Sequence, residues 1–454
     1  MPSSPTQPSL GSAILVGVQL PGVTDEEHAG DLAELGRLVR TLGYEVVATV
    51  QQRRDSLAAG TVVGEGKLKE LAELTGGKGV VPSGAPERKS KAQMRWAAEH
   101  GDNDEKHDAD EDDDTSSRPR MVIVDHEITP TQARNLEKAT GASVLDRSGV
   151  IVDIFHRHAK SREARLQVDI ARLKYVAPRM RESANSERQA GRGAGESALE
   201  LDRRKVRDRI SELREELAAI QKRDEGRRKG RQGQLRVALV GYTNAGKSSL
   251  MRALTSSDVL VEDKLFATLD TTVRALSPET TPRILVSDTV GFIKKLPHDL
   301  VASFRSTLDE AHEASLLLYV VDASDPTHEA QLEVTRSVLR EIGADAVPGK
   351  LLLNKVDRLD AGAREALESA HPDAILLSAK NAADVQALRR TLIEFFEHAM
   401  IDEDLVVPYD KQRLVSEIHE EARVLSEEYD EQGARLRVRA LPETLARLRH
   451  AVSS

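Results

Sequence analysis

The period of the apolar positions changes several times along the chain, and each change marks an expected element. Ala13 to Val18 is a short apolar run of strand type. Leu32, Leu35, Leu38, Val39 and Leu42 recur at helical spacing and stop at Gly43, after which Tyr44 to Val50 reads as a second strand. Leu68 to Leu74 predicts a helix closed by Gly76 and Gly77, Met121 to Val124 a strand, Thr131 to Ala139 a helix closed by Gly141, and Val144 with Leu145 a short strand. Alternating strands and helices predict a small α/β domain over residues 1–149. The pattern then lengthens. Leu166, Ile170, Leu173 and Ala177 share a helix face that Pro178 is expected to end. Val206, Ile210, Leu213, Leu217 and Ile220 alternate spacings of four and three, a heptad-like seam. Two such stripes need each other in water, so residues 150–230 predict a long antiparallel helical hairpin with a Gly-, Arg- and Ser-rich tip at 184–197. Apolar strands at Val237–Val240, Ile284–Val286 and Leu351–Leu353 place a larger α/β domain at 235–397. In residues 402–454, strands at Leu405–Tyr409 and Ala434–Ala440 are expected to flank a helix over Arg413–Tyr429, a small terminal α/β module.

Composition narrows the classes. There are 454 residues, 39% of them hydrophobic, enough for two to four domains with cores of their own. The absence of cysteine excludes disulfides and thiolate metal clusters. The 13 histidines show no close metal-ligand pairing in sequence; His156 and His158 diverge on a helix. No apolar run reaches membrane-spanning length, and MPSSPTQPSL lacks the basic and apolar regions of a signal peptide. These features predict a cytoplasmic, monomeric protein without stable membrane insertion.

The net charge of -10 conceals segregation. Glu99 to Asp114 holds ten acidic residues and one lysine, and the polar insertion around it, 82–118, is expected to be a disordered loop. His156 to Arg236 holds 23 Lys and Arg against 13 Asp and Glu, a local field that attracts phosphate backbones.

Five short motifs then follow in order. Strand Val237–Val240 runs into Gly241, Tyr242, Thr243, Asn244, Ala245, Gly246, Lys247, Ser248 and Ser249, the strand, loop and helix context of a phosphate loop. Its glycines let backbone N–H groups close on phosphates, Lys247 is expected to reach the β- and γ-phosphates, and Ser248 to hold Mg²⁺. Phe266, Ala267 and Thr268 open FATLDTT, with Thr268 the chosen switch threonine on the metal and Thr271 and Thr272 its competitors. Asp288, Thr289, Val290 and Gly291 follow an apolar strand; Asp288 is expected to face the metal, and Gly291 the γ-phosphate. Asn354, Lys355 and Asp357 of NKVD choose the base. The Asp357 carboxylate can accept from guanine N1–H and the 2-amino group, both absent in adenine. Asn354 is expected to brace the loops, Lys355 to cover the base, and Ala379, between Ser378 and Lys380, to meet the guanine 6-oxo group. Together these predict a Ras-like P-loop GTPase that converts GTP to GDP. Phe292 follows Gly291 where Ras-like switches carry a water-orienting glutamine, so slow intrinsic hydrolysis is expected. Asn244 is a candidate K⁺ ligand, or else orders the loop. Lys247, Thr268, Gly291 and Asn244 are the expected catalytic set.

The whole pattern resembles the HflX family of ribosome-associated GTPases. GYTNAGKSSL, KLFATLD, DTVGFI and NKVD match its nucleotide motifs, and Val144–Tyr175 with Leu199–Ile210 resembles its N-terminal signature. The resemblance implies binding to the large ribosomal subunit and intact ribosome, and dissociation of stalled ribosomes under stress. It also implies rRNA contacts through the N-terminal domain and basic hairpin. The hairpin loop departs from the usual GTRGPGE: Ala190–Glu196 reads AGRGAGE, with Ala194 in place of proline. The alternative is a GTP-dependent assembly or RNA-remodelling factor for the large subunit.

Overall fold

Local capping chemistry sets where the elements begin. The computed structural model of the protein describes residues 11–57, 60–81, 118–187, 195–229, 234–256, 265–266, 271–296 and 310–453, with the side chains of 181–187, 195–201 and 224–229 left aside. The acidic run Glu99–Asp114, the side chains of the hairpin tip, and Ala267 and Thr268 lie outside the described residues. The chain divides into two compact units: Met1–Ile151 with Pro178–Ala190, and Val152–Ala177 with Gly191–Ser454.

In the first unit, Thr24 and Glu27 cap each other's backbone N–H groups at the start of α1 (Asp25–Thr41), which follows β1 (Gly11–Gln19). The same reciprocal cap, Thr129 with Gln132, starts a later helix, α3 (Pro130–Thr140). With β2 (Tyr44–Arg53), α2 (Glu65–Thr75), β3 (Met121–Val124) and β4 (Ser143–Asp146), they form a parallel sheet in the order β2-β1-β3-β4. Ile14, Val16, Val122 and Val124 pack with Leu68 and Leu71 of α2 and Leu136 of α3. Toward α1 the approach is close: a Cβ at Gly17 would stand 2.8 Å from Leu32. Cover on both faces explains why the inner strands β1 and β3 are apolar runs, while the edge strand β2 alternates.

At the C-terminal ends of β3 and β4 lies a buried ion cluster. Arg147, the first residue of α4 (Arg147–His158), donates to Asp125 at 3.0 Å and pairs with Glu34 of α1 at 3.2 Å; all three are buried. Asp146 accepts from Arg179 at 2.7 Å.

Arg179 bears on a departure from expectation. The helix expected to end at Pro178 continues as α5 (Arg162–Glu187). A proline costs one intrahelical bond and clashes one turn back. Here the next residue is anchored: Arg179 also donates to the Ile128 carbonyl at 3.4 Å. The division between the two units falls at Ala177–Pro178.

In the second unit, Leu166 and Ile170 of α5 bury against Leu213 of α6 (Gly195–Lys229), with Leu173, Ile210, Leu217 and Ile220 alongside, and Arg162 pairs with Glu216. The larger sheet has the order β10-β9-β8-β5-β7-β6. Its strands are β5 (Leu235–Gly241), β6 (Thr272–Ala275), β7 (Ile284–Asp288), β8 (Leu316–Asp322), β9 (Gly349–Asn354) and β10 (Ile375–Leu376). Only β6 pairs antiparallel, on β7; the other pairs are parallel. The helices are α7 (Lys247–Thr255), α8 (His328–Glu341), α9 (Ala361–Ala370) and α10 (Ala382–His398). Val237, Leu239, Val286, Leu318 and Leu352 form a core with Leu250 of α7 and Leu388 and Leu392 of α10.

The terminal module holds β11 (Ile401–Val407), α11 (Arg413–Glu421), β12 (Arg423–Asp430), β13 (Gly433–Ala440) and α12 (Pro442–Ser453), with the antiparallel order β11-β13-β12. The single helix expected over Arg413–Tyr429 is thus a nine-residue helix followed by a strand. The Ser-Glu-Glu run of β12 lacks β-forming preference, but its backbone pairs with β13 from Arg423↔Arg439 to Asp430↔Gly433. Pairing with a buried neighbour overrides local propensity.

Candidate functional site

The end of β5 is shaped by close backbone approach. A Cβ at Gly241 would collide with the Val320 carbonyl oxygen of β8, and one at Gly246 with the Asn354 amide; both glycines have positive φ, 152° and 99°. Between them the loop Tyr242–Ala245 is tied down by Thr243 N–H on the Phe292 carbonyl at 2.8 Å and Phe292 N–H on the Gly241 carbonyl at 3.1 Å. Asn244 sits exposed at the loop's tip with φ 59°. Among the described residues the buried Thr243 hydroxyl has no hydrogen-bond partner, in a loop whose N–H groups and helix terminus suit an anion.

Lys247, the first residue of α7, is buried and donates to the carbonyls of Gly241 at 3.0 Å and Tyr242 at 2.9 Å. Burial pulls its ammonium down to about 8; the Asp288 carboxylate opposes that pull and Lys355 adds to it. The folded value lies below the ordinary 10.5. Between about 8 and 10.5 the unfolded chain therefore holds a proton that the folded protein has released, and the stability contributed by this residue rises with pH across that window. A polyphosphate favours the charged form. GDP binding at about pH 9 is accordingly expected to take up close to one proton, falling toward none at about pH 6.5. Calorimetry in two buffers of different ionisation enthalpy reads this directly, and Lys247→Met should abolish the difference. Equal heats in both buffers at the higher pH would contradict it.

The Ser248 hydroxyl donates to Asp288 Oδ2 at 2.6 Å, joining α7 to the end of β7. A hydroxyl and a carboxylate are the hard oxygen donors that Mg²⁺ takes, so the pair fits that ion. Ser249 follows on α7. Thr289 donates to the Leu239 carbonyl at 2.7 Å, and Val290 is buried. At Gly291 a Cβ would stand 2.8 Å from Thr243 and 3.1 Å from Lys247 Nζ, so a side chain there would enter the phosphate region. Phe292 points the other way, into a core with Ala238, Val240 and Leu317. Phe266 is buried and meets Phe155 of α4 edge-on, ring centroids 4.5 Å apart. Among the described residues the buried Thr271 hydroxyl has no hydrogen-bond partner, and Thr272 begins β6.

Two further loops converge on this one. Asn354, at the end of β9, donates to the Ala245 carbonyl at 2.9 Å and accepts from Ala379 N–H at 3.1 Å, linking the phosphate loop to the Ser378–Lys380 loop. Ala379 N–H can therefore reach a base oxygen only as a shared donor. Lys355 donates to the Asn244 carbonyl at 2.6 Å and to Asp322 Oδ2 at 2.7 Å. Asp357 accepts from the Ser378 hydroxyl at 2.7 Å, with Lys380 Nζ at 3.6 Å. The Ser378 hydrogen bond is the main reason its carboxyl lies below the usual range. Sequence reasoning passed over Asp322 and Asp384. Asp322 ends the apolar strand β8, a position that could have signalled it. Asp384 accepts from Ser378 N–H at 2.8 Å and no sequence motif marks it.

Residues 236–355 match the family described as 50S ribosome-binding GTPase, 158–231 the GTP-binding GTPase Middle Region, and 29–81 with 92–156 the GTP-binding GTPase N-terminal family. A GTPase HflX from Gluconacetobacter diazotrophicus is 66% identical over 452 residues, covering 99% of each chain. The chain belongs to the HflX family of GTPases. Another HflX, from Caldanaerobacter subterraneus, is 36% identical, over 97% of this chain and 94% of that one. A GTP-binding protein from Sulfolobus solfataricus, solved with GDP, is 22% identical with a TM-score of 0.42, over 85% of this chain and 98% of that one. As an HflX-family member the protein is a GTP hydrolase with a P-loop GTPase domain between smaller α/β parts. Among the described residues, no helix is long and apolar enough to cross a membrane.

Proposed function

We propose that the protein is a cytoplasmic, monomeric GTP-driven switch that binds the large ribosomal subunit and dissociates stalled ribosomes under stress. The observation that carries the switch is the convergence on one loop of Ser248 with Asp288, Gly291 beside Lys247, and Asn354 bridging to Ala379. Asp357 reads guanine, and Lys355 lies along its face. Lys247 turns from the loop carbonyls to the β- and γ-phosphates. Ser248, Asp288 and Thr268 would hold Mg²⁺, which would supply charge neutralisation at those phosphate oxygens. Gly291 offers its N–H to the γ-phosphate, so loss of that phosphate releases the loop. Phe292, the residue after Gly291, is packed in the core and does not orient water. The further positive charge needed in the transition state would come from K⁺ at Asn244, and the ordering from the ribosome.

The ribosomal part of the proposal rests on the family description and on the basic charge of the helical hairpin, residues 150–230, next to the N-terminal part, 1–149. These two would meet rRNA, while 235–397 would hydrolyse GTP and 402–454 forms a separate small module. Purified ribosomes should stimulate GTP hydrolysis at least tenfold, more in KCl than in NaCl. With a nonhydrolysable GTP analogue, gradient sedimentation should show the 70S peak falling and subunit peaks rising. Ribosomes that neither bind the protein nor change its GTPase rate would overturn the reading; action on precursor particles alone would favour the assembly role.

A further inference from the structure

We propose that His328, Glu329 and His371 form a binding site for a divalent transition-metal ion, Zn²⁺ by its donor chemistry, between the start of α8 and the end of α9. His328 and Glu329 open α8, and His371 is the residue after α9. One ligand atom from each lies within 4.8 Å of the others. His371 Nε2 stands 3.1 Å from Glu329 Oε1, and His328 Nε2 stands 4.0 Å from it. Ligand atoms on tetrahedral zinc, with bonds near 2.0–2.1 Å, stand roughly 3.3 Å apart. The observed spacings bracket that value, so small side-chain adjustments close the set. Two imidazoles and one carboxylate select zinc-like ions over Mg²⁺ or Ca²⁺, and three protein ligands leave the fourth position to water.

Three features distinguish this cluster from an ordinary surface contact. His328 Nδ1 lies 3.0 Å from the Asp325 carbonyl, which can only accept, so Nδ1 carries the proton and the ring orientation is held from behind. In the neutral ring, Nε2 then turns a lone pair toward a carboxylate. Two acceptors facing each other are complementary only to a cation between them, a proton or a metal. Both imidazoles are four-fifths covered, 20% and 21% exposed, so little rotamer freedom remains to be lost, while Glu329, 67% exposed, is free to swing in. Among the described residues, no lysine or arginine nitrogen comes within 4.0 Å of the Glu329 carboxylate to compete for it.

The position gives occupancy a structural consequence. Asp322, which holds Lys355, precedes α8 by a short loop, and Asp357 precedes α9. A metal tying α8 to His371 would restrain the chain on both sides of the NKVD segment.

The test uses untagged full-length protein, freed of metal by chelation and saturated with Mg²⁺ and GDP so that Ser248 and Asp288 are engaged. Zn²⁺ is then titrated calorimetrically. The wild type should bind one tight equivalent. His328→Ala, Glu329→Gln and His371→Ala should each weaken that equivalent at least tenfold, with GDP affinity retained. Co²⁺ in place of Zn²⁺ should give the strong visible bands of a tetrahedral centre, absent in His371→Ala. His100 and His107 in the acidic run offer a competing zinc sink, so the decisive comparison is with the His328→Ala/His371→Ala double variant. A wild type without the tight equivalent, or a double variant that keeps it, overturns the proposal. Should a histidine variant lose GDP binding through misfolding, Glu329→Gln, altering an exposed carboxylate, decides in its place.

Discussion

Asp357→Ala should lower GDP affinity between a hundredfold and ten-thousandfold while leaving ADP affinity unchanged. The aspartate is held by the Ser378 hydroxyl at 2.7 Å, a bond that lowers its carboxyl further below the usual range, and as a carboxylate at neutral pH it can only accept. Guanine presents two donors to such a carboxylate. Each hydrogen bond to a charged group is worth about 1.5–3 kcal/mol, so losing both costs roughly 3–6 kcal/mol. At about 1.4 kcal/mol per tenfold, that gives the stated range. Adenine has neither donor and loses nothing. Asp357→Asn is the matching control: its amide donates where the 2-amino group of guanine also donates, but it complements the 2-oxo group of xanthine. Xanthosine diphosphate should therefore gain on GDP by at least a hundredfold in this variant, which also shows that the site still folds. Calorimetric titration of all three nucleotides measures both effects. A fall of less than about threefold for GDP in Asp357→Ala would place base selection elsewhere.

Arg147→Met should destabilise the first unit by about 3–5 kcal/mol, the cost of breaking a buried ion pair by removing one partner. The guanidinium meets Asp125 at 3.0 Å and Glu34 at 3.2 Å, and all three side chains are almost fully enclosed. Methionine keeps most of the volume, so the loss reports on charge rather than on a cavity. Two carboxylates would then face each other in the interior without this counter-charge. Because the chain holds more than one unit, a single melting temperature is a poor gauge. Hydrogen exchange resolved by peptide is better: protection in β1 and β3 should fall by at least a hundredfold, with β5 and β8 unchanged and GDP affinity intact. Adding Glu34→Gln and Asp125→Asn to Arg147→Met should restore part of the protection. A loss below about 1 kcal/mol would mean that the site relaxes to admit water.

Much of the GTPase domain was legible because its chemistry is local. A phosphate loop needs glycines where backbone approaches backbone, and Gly241 and Gly246 stand where a Cβ would strike Val320 or Asn354. The strands before the phosphate loop, DTVG and NKVD are apolar runs, since a parallel sheet with helices on both faces is buried on both faces. Capping signals are equally short-range, and α1 ends at Thr41 with Leu42 as its cap, just before Gly43. Two local readings failed, and both failures have a distant cause. Pro178 does not end its helix because Arg179 is anchored to Asp146. Residues 423–430 are a strand because β13 offers them a partner.

What the sequence determined by itself was the kind of protein: a GTPase built on guanine-nucleotide motifs, with a basic helical extension and no thiol chemistry. Those properties follow from residue types at short spacings, which survive without knowledge of the fold. Tertiary structure alone decided the rest. Phe292 turns into the core rather than toward the phosphates, Asp322 meets Lys355 from another strand, and Arg147 gathers Glu34 and Asp125 from separate elements. His371 reaches Glu329 across 42 residues. Each of these joins groups that lie far apart in the chain, and only the packing of the sheets and their helices brings such groups within bonding distance.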